Sequence, residues 1–248
     1  MRKTPRPLPG DQSMMRHCAV AIAYSQGARS SEIRKLVLAP VFREAFVDFD
    51  PSLLALRKPE VILHHYWDRL GHMRYRGKID RIVECARVLN GISRDCGSFA
   101  SYLKSFRIRR RLLTVDDIDS FWERFELLQS DLNVRGMPFF RSTTSLLQLL
   151  LDLDYDSVKP DLIVMRLARR LGMVERETGD KQLRTVARLI QQYAVSRSIR
   201  AQAVDLQLLA FGGQTGSRQL LSERFCPPSD PCLKSNCPVG KKGLCNAL

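Results

Sequence analysis

Apolar residues fall three and four apart along most of this chain, the period of a helix that buries one face and shows the other to water. The pattern runs through Cys18–Tyr24, Ile79–Leu89, Ile118–Leu128, Ser145–Leu153, Leu162–Leu171, Leu183–Tyr193 and Ala203–Phe211. Start signals sit where helices need them. Thr114-Val-Asp-Asp precedes one stretch, Ser98 opens the short SFASYLKSF run, and Pro51 and Pro59 stand at the first turns of two short helices. There is no alternating pattern long enough for a strand, no internal repeat and no low-complexity tract. The pattern predicts an all-α protein of about ten helices with short connections.

Two segments depart from plain amphipathic helix. Arg135-Gly-Met-Pro-Phe-Phe-Arg-Ser-Thr-Thr144 joins one apolar helix to the very apolar SLLQLLLDLDY. Gly136 and Pro138 stop the first helix and Ser142 is placed to cap the second, which predicts a helix–hairpin–helix. Backbone N–H groups at such a turn form a phosphate nest. Arg135, Arg141, Ser142, Thr143 and Thr144 would add side-chain donors; otherwise the segment is an ordinary helix–helix turn. Further on, Pro160 and Asp161 begin a helix that Gly172 ends. Asp161 is then either an N-cap or a carboxylate at the mouth of a cleft. Arg166, Arg169 and Arg170 are either a solvated face or phosphate ligands.

Charge narrows the partners. The 248 residues carry 40 Lys plus Arg against 26 Asp plus Glu, a formal net charge of +14 and a pI near 9.9. Such a surplus implies a polyanion, with nucleic acid first and a membrane surface second. No apolar stretch is long enough to span a bilayer. The opening MRKTPRPLPGDQS is basic and Pro-rich, without the apolar core of a secretory signal, so the expected setting is cytoplasmic. The length suits one large domain or two small interlocked ones.

Four of the seven cysteines fall at the C-terminal end, as Cys226-x5-Cys232-x4-Cys237-x7-Cys245. The loop between them is rich in Pro, Gly and Lys and too poor in apolar residues to bury a core of its own. Four thiolates in such a loop suit a tetrahedral zinc or a [4Fe–4S] cluster. A zinc ribbon shows close C-x2-C pairs and this loop has none, which favours the cluster over zinc and both over a disulfide-bonded tail in a reducing compartment. Cys18 and Cys85 sit in apolar helical patterns and read as buried thiols.

These pieces stand in an order that resembles a known family. Helix–hairpin–helix, a short apolar helix, an Asp opening the next helix, then a four-cysteine loop is similar to the helix–hairpin–helix DNA glycosylases of the endonuclease III and adenine glycosylase branch. The stretch ending FFRSTTS corresponds to that family's LPGVGxxTA hairpin, and KPDLIVMRLARRLG looks like its VDTHVxRVxxRLG. The 17 residues from Thr144 to Asp161 fit the distance from its hairpin Thr to its catalytic Asp. AIAYSQGARSSEI is similar to its first barrel helix with the SQ motif. FREAFVDFDPSLLA, RYRGKIDRIVECAR and RGMPFFRSTTSL look like 3-methyladenine glycosylase I. The loop departs from the family's C-x6-C-x2-C-x5-C at all three gaps, and Arg141 replaces the hairpin Gly.

The resemblance implies two interlocked helical domains after a disordered basic segment, 1–13. The first would be a six-helix barrel over 14–140, with the hairpin at about 135–144. The second would be a helical domain over 141–248, ending in an iron–sulfur loop at 226–245 with Cys226, Cys232, Cys237 and Cys245 as ligands. It implies a monomer acting on double-stranded DNA, with Asp161 stabilising an oxocarbenium-like sugar and orienting water after the base has flipped out. Gln26 would be a wedge in the duplex, or a helix-end Gln bonded to backbone. Lys241 and Lys242 would add phosphate contacts. Tyr24, His65 and Trp67, in an aromatic group with His64 and Tyr66, would line the base pocket or belong to the core. Thr143 stands where bifunctional members carry the Schiff-base Lys, so efficient lyase activity is not expected; Lys159 is the one nearby substitute. The pocket Glu and Trp of 3-methyladenine glycosylase I have no counterparts. Two other readings stay open: a DNA-binding module without catalysis, in which Asp161 is only a cap, and an enzyme of this fold acting on hypermodified bases.

Overall fold

A computed structural model of the chain describes residues 6–212, 226 and 237–245. Every regular element among them is helical, with no strand among the described residues. The chain divides into two compact units. The first comprises Pro7–Ile108 and Arg124–Arg141; the second comprises Met1–Arg6, Arg109–Glu123 and Ser142–Leu248, as far as these are described.

In the first unit, α1 (Asp11–Tyr24) packs on α6 (Gly77–Cys96), with α2 (Ser30–Leu38), α3 (Pro40–Ala45), α4 (Pro51–Ala55), α5 (Pro59–Leu70) and α7 (Phe99–Ser105) around them. Met14, Met15, Cys18 and Ile22 on α1 and Ile79, Ile82, Val83 and Leu89 on α6 are fully buried, each contributing about 1.5–3 kcal/mol where the side chain is large. The anticipated caps form. The N–H groups of Ser52 and Leu53 donate to Asp50 Oδ1 at 2.8 and 3.1 Å, and Ser101 N–H donates to Ser98 Oγ at 3.0 Å. Cys18 and Cys85 are buried, as their apolar surroundings predicted.

The N-terminal boundary needs correction: α1 begins at Asp11, inside the stretch 1–13 expected to be disordered. Asp11 fixes it there, accepting from Ser93 Oγ at 2.5 Å and from Phe99 N–H at 2.8 Å. A second difference concerns residues 109–123, which the resemblance put with 14–140 but which join the second unit. Arg110 donates to the Leu153 carbonyl at 2.5 Å, Arg111 meets Asp154 at 2.8 Å and Leu112 N–H donates to Asp156 at 3.0 Å. Trp122 Nε1 donates to Gln191 Oε1 at 2.9 Å in the buried interior. Helix α8 (Val115–Val134) starts in the second unit and finishes in the first. Thr114 and Asp117 exchange hydrogen bonds at its start, a reciprocal capping arrangement.

The second unit continues with α9 (Thr143–Asp152), α10 (Leu162–Arg170), α11 (Asp180–Ser196) and α12 (Ala201–Gly212). Helix α12 packs on both α10 and α11. At its last residue the approach to α10 is so close that a Cβ on Gly212 would lie 2.7 Å from Leu167 Cδ1 and 2.9 Å from Ile163 Cγ2. A short α13 (Pro238–Lys241) follows Cys237. Among the described residues no helix is long and apolar enough to cross a membrane.

Candidate active site

The chemistry-bearing feature of the second unit is a cavity of about 470 Å³, a common size for a small-ligand site. Its floor and rim come from Gln148 and Asp152 on α9, Asp154 after it, Lys159 and Asp161 before α10, and Gln202 and Asp205 on α12. Asp161 caps α10: the N–H groups of Ile163 and Val164 donate to its Oδ1 at 2.9 and 3.1 Å. Both readings of Asp161 therefore meet in one residue. The cap fixes one oxygen, and no hydrogen bond reaches the other among the described residues. A carboxylate held this way sits at the positive end of a helix while still lining a cavity.

Asp205 is the residue that sequence reasoning missed. It is 3% exposed, on a helix whose other inward residues are apolar. The Lys159 N–H faces its carboxylate, and Oδ1 is buried with no hydrogen-bond partner. Burial, and then the like charge of Asp161, push the Asp205 carboxyl up to about 7; the Lys159 N–H and ammonium pull downward and lose. One signal was present in the sequence: a lone Asp in AVDLQLLAF, where an unpaired acid is costly to bury.

Asp154, on the same wall, behaves oppositely. Burial works to raise it, but hydrogen bonds from Arg111, the Arg6 N–H and Arg200 prevail and hold it at about 2. Arg200 also pairs with Asp156, so this corner is a salt-bridge network that braces the rim. The cavity thus offers one ionised and tied carboxylate, one helix-capping carboxylate with an unbonded oxygen, one buried acid and one amine, with Asp152 beside them accepting from Gln148.

The structure brings Lys159 and Asp161 together and places the remaining candidates elsewhere. Helix α8 ends before Gly136, which adopts φ +73° while Met137 N–H reaches back to the Leu132 carbonyl at 2.9 Å. Arg135 is committed within the first unit. It contacts Asp95 and Asp131 at 2.7 Å each and lies over the Tyr102 ring. Arg141 is exposed. In the second unit, Ser142 caps α9 by accepting from Ser145 N–H at 3.3 Å, and Thr143 is buried with its hydroxyl on Asp180. Thr144 is half-buried.

Tyr24, His65 and Trp67 belong to the first unit, with Tyr24 and His65 exposed and Trp67 half-buried beneath Arg76; none lines the cavity. Gln26 is exposed in the left-handed region, φ +56°, at the turn after α1. That turn is held from below by Lys78, itself 0% exposed, whose Nζ donates to the carbonyls of Ala23 and Ser25 at 2.8 and 2.7 Å. Arg74 adds a bond to the Gly27 carbonyl at 3.1 Å.

Of the loop cysteines, Cys226 and Cys237 are buried and Cys245 is half-buried, while Cys232 lies outside the described residues. Among the described residues no three His, Cys, Asp or Glu side chains converge as a metal site. Arg170 Nη1 donates to Cys226 Sγ at 2.8 Å. Lys241 and Lys242 are exposed.

Residues 31–149 match the methyladenine glycosylase family. That is 119 of 248 residues, just under half, and it runs from α2 into α9. The match supports a DNA N-glycosylase, an enzyme of base excision repair with DNA as its substrate. It lies on the methyladenine side of the resemblance and not on the endonuclease III side. It also stops short of Lys159, Asp161 and Asp205, so the cavity is built mainly by the unmatched part of the chain. No curated protein and no solved structure matches the chain.

Proposed function

We propose that this protein is a monofunctional DNA glycosylase. It flips a damaged, mispaired or modified base out of duplex DNA and hydrolyses the bond between that base and its sugar. The observation that carries this reading is Asp161, capped on one oxygen and unbonded on the other, lining a cavity of about 470 Å³. As the bond to the base stretches, the sugar gains oxocarbenium character. The Asp161 carboxylate stabilises that charge electrostatically and orients water toward C1′. Thr143, buried on Asp180, supplies no amine, so the enzyme hydrolyses without efficient strand cleavage.

The exposed Gln26 turn, held by Lys78, suits a wedge that fills the space left by the flipped base. The basic surplus, with Arg141, Lys241 and Lys242 exposed, suits a phosphate backbone, and the setting is the cytoplasm or nucleoid. The four loop cysteines are read as ligands of a [4Fe–4S] cluster with a structural role, zinc being the alternative. The burial of Cys226 and Cys237, among the described residues of the loop, supports a shared ligand there. The ultraviolet–visible spectrum of protein purified without oxygen, with iron and zinc analysis, tests it; a colourless protein holding one zinc would replace the cluster.

The test of the activity is base release from duplexes carrying damaged, mispaired or hypermodified bases, with Asp161→Asn as control. Release by the wild type and loss of about 10²-fold or more in the variant, with DNA binding retained, supports the reading. Binding without release on every duplex, unchanged by Asp161→Asn, would make the protein a docking module and Asp161 a cap. Borohydride trapping on an abasic duplex checks the amine of Lys159, and no adduct is expected.

A further inference from the structure

We propose that Asp205 is the proton donor to the departing base, and that the substrates of this cavity are therefore neutral bases, which leave readily only once a ring nitrogen is protonated. The proposal rests on the glycosylase reading above and deepens it.

Three observations support it. Asp205 lines the same open cleft as Asp161 and lies near enough to feel its charge, so a base whose C1′ faces Asp161 sits in that cleft. Asp205 Oδ1 is buried without a partner, an arrangement that is costly for a carboxylate but suits a neutral carboxyl with a proton to give. Its surroundings also keep that proton on. The groups facing it are Asp161 and Lys159 ahead of α10, with Asp152, Asp154 and the Arg6 segment elsewhere around the cavity. Asp154 is already occupied by Arg111 and Arg200. Helix α11 puts no titratable group into the cavity, and Arg166 of α10 is spent on the Gly212 carbonyl at 2.7 Å. Burial, and then the negative charge of Asp161, outweigh the single amine and keep the proton on Asp205 up to about pH 7.

The step balances. The bond between C1′ and the base breaks and its electron pair goes to the base. The Asp205 proton goes to a ring nitrogen, so the base departs neutral. Water adds to C1′ and releases one proton, which returns Asp205 to its acid form by way of solvent. The two carboxyls then have separate duties: Asp161 meets the sugar cation and Asp205 meets the base. A base that is already cationic, such as a purine methylated at N3 or N7, needs the first and not the second.

The experiment compares wild type, Asp205→Asn, Asp205→Glu and Asp161→Asn in single-turnover base release. One set of duplexes carries neutral damaged or mispaired bases such as hypoxanthine; the matched set carries 7-methylguanine or 3-methyladenine. Thermal melts confirm that each variant is folded. Asp205→Asn is expected to lower release of neutral bases by about 10²-fold while leaving cationic bases within a few-fold. Asp205→Glu should restore part of the loss. Wild-type release of neutral bases should fall as pH rises through about 7, and that dependence should be absent in Asp205→Asn. Equal losses on both sets, or a wild type that releases only cationic bases, would overturn the proton-donor role while leaving the glycosylase reading intact. No release from any duplex by the wild type would overturn both.

Discussion

Replacing Asp205 by Asn should change how the protein's stability depends on pH, and the size follows from the structure. An acid that titrates at about 7 in the fold and at 3.8 in the unfolded chain binds a proton preferentially in the native state between those values. Its contribution is therefore fully present below pH 3.8 and is lost as pH rises through 7. Between pH 5 and pH 8 the loss is about 1.36 kcal/mol for each of two pH units, or about 3 kcal/mol. Asparagine keeps the size and shape of the side chain and cannot ionise, so the variant lacks this slope. Asp154 does not confuse the window, because its stabilisation is complete above pH 4 and lost only as pH falls toward 2. The assay is urea unfolding at pH 5 and pH 8 followed by tryptophan fluorescence. The chain has two tryptophans, Trp67 and Trp122. A Trp67→Phe background leaves Trp122, buried in the same unit as Asp205, as the reporter. Wild type should lose about 3 kcal/mol relative to the variant over this range. Parallel stability curves for the two proteins would refute the argument that burial and Asp161 hold a proton on Asp205.

Three further outcomes are expected. Lys78→Met retains the buried stem but strips the Ala23 and Ser25 carbonyls of their donor; denaturant unfolding should show a loss of about 2 kcal/mol, and amide exchange should quicken at the Gln26 turn. Gly212→Ala forces a methyl against Leu167 and Ile163 and should cost about 1–3 kcal/mol by the same assay, raising KM or lowering base release with it. Combining Lys241→Ala with Lys242→Ala should weaken DNA binding uniformly across sequences and flatten the plot of log affinity against log salt by about one to two; an unchanged slope would show that these exposed lysines meet no phosphate.

The helices were legible because each stretch carried both a period and a punctuation mark. Thr114 with Asp117, Asp50 with Pro51, and Ser98 all cap where the residue types said they would. Asp161 was legible as the residue that opens and caps α10, and Lys159 lies beside it on the same lining. What could not be read was tertiary partnership. Arg135 looked like a phosphate ligand, but its carboxylates include Asp95, 40 residues upstream, which no local pattern connects to it. Thr143 looked like a donor at a helix start and instead turns to Asp180. Asp205 drew no reading from the sequence, because its meaning depends on the cleft it shares with Asp152, Lys159 and Gln202.

The crossing of α8 from one unit to the other has a consequence for how the protein can be made. The chain leaves and re-enters each unit, so no single cut yields a contiguous fragment equal to either one. During synthesis, the segment bearing Phe121 and Trp122 emerges well before Gln191 and the helices that cover it exist. Until then a ribosome-bound chain displays aromatic surface with nowhere to bury it, a state that attracts chaperones and neighbouring nascent chains. The same wiring means that a stop codon shortly after residue 141 would deprive residues 109–123 of the unit they fold with, so early truncation should yield aggregating protein and not a stable half-enzyme.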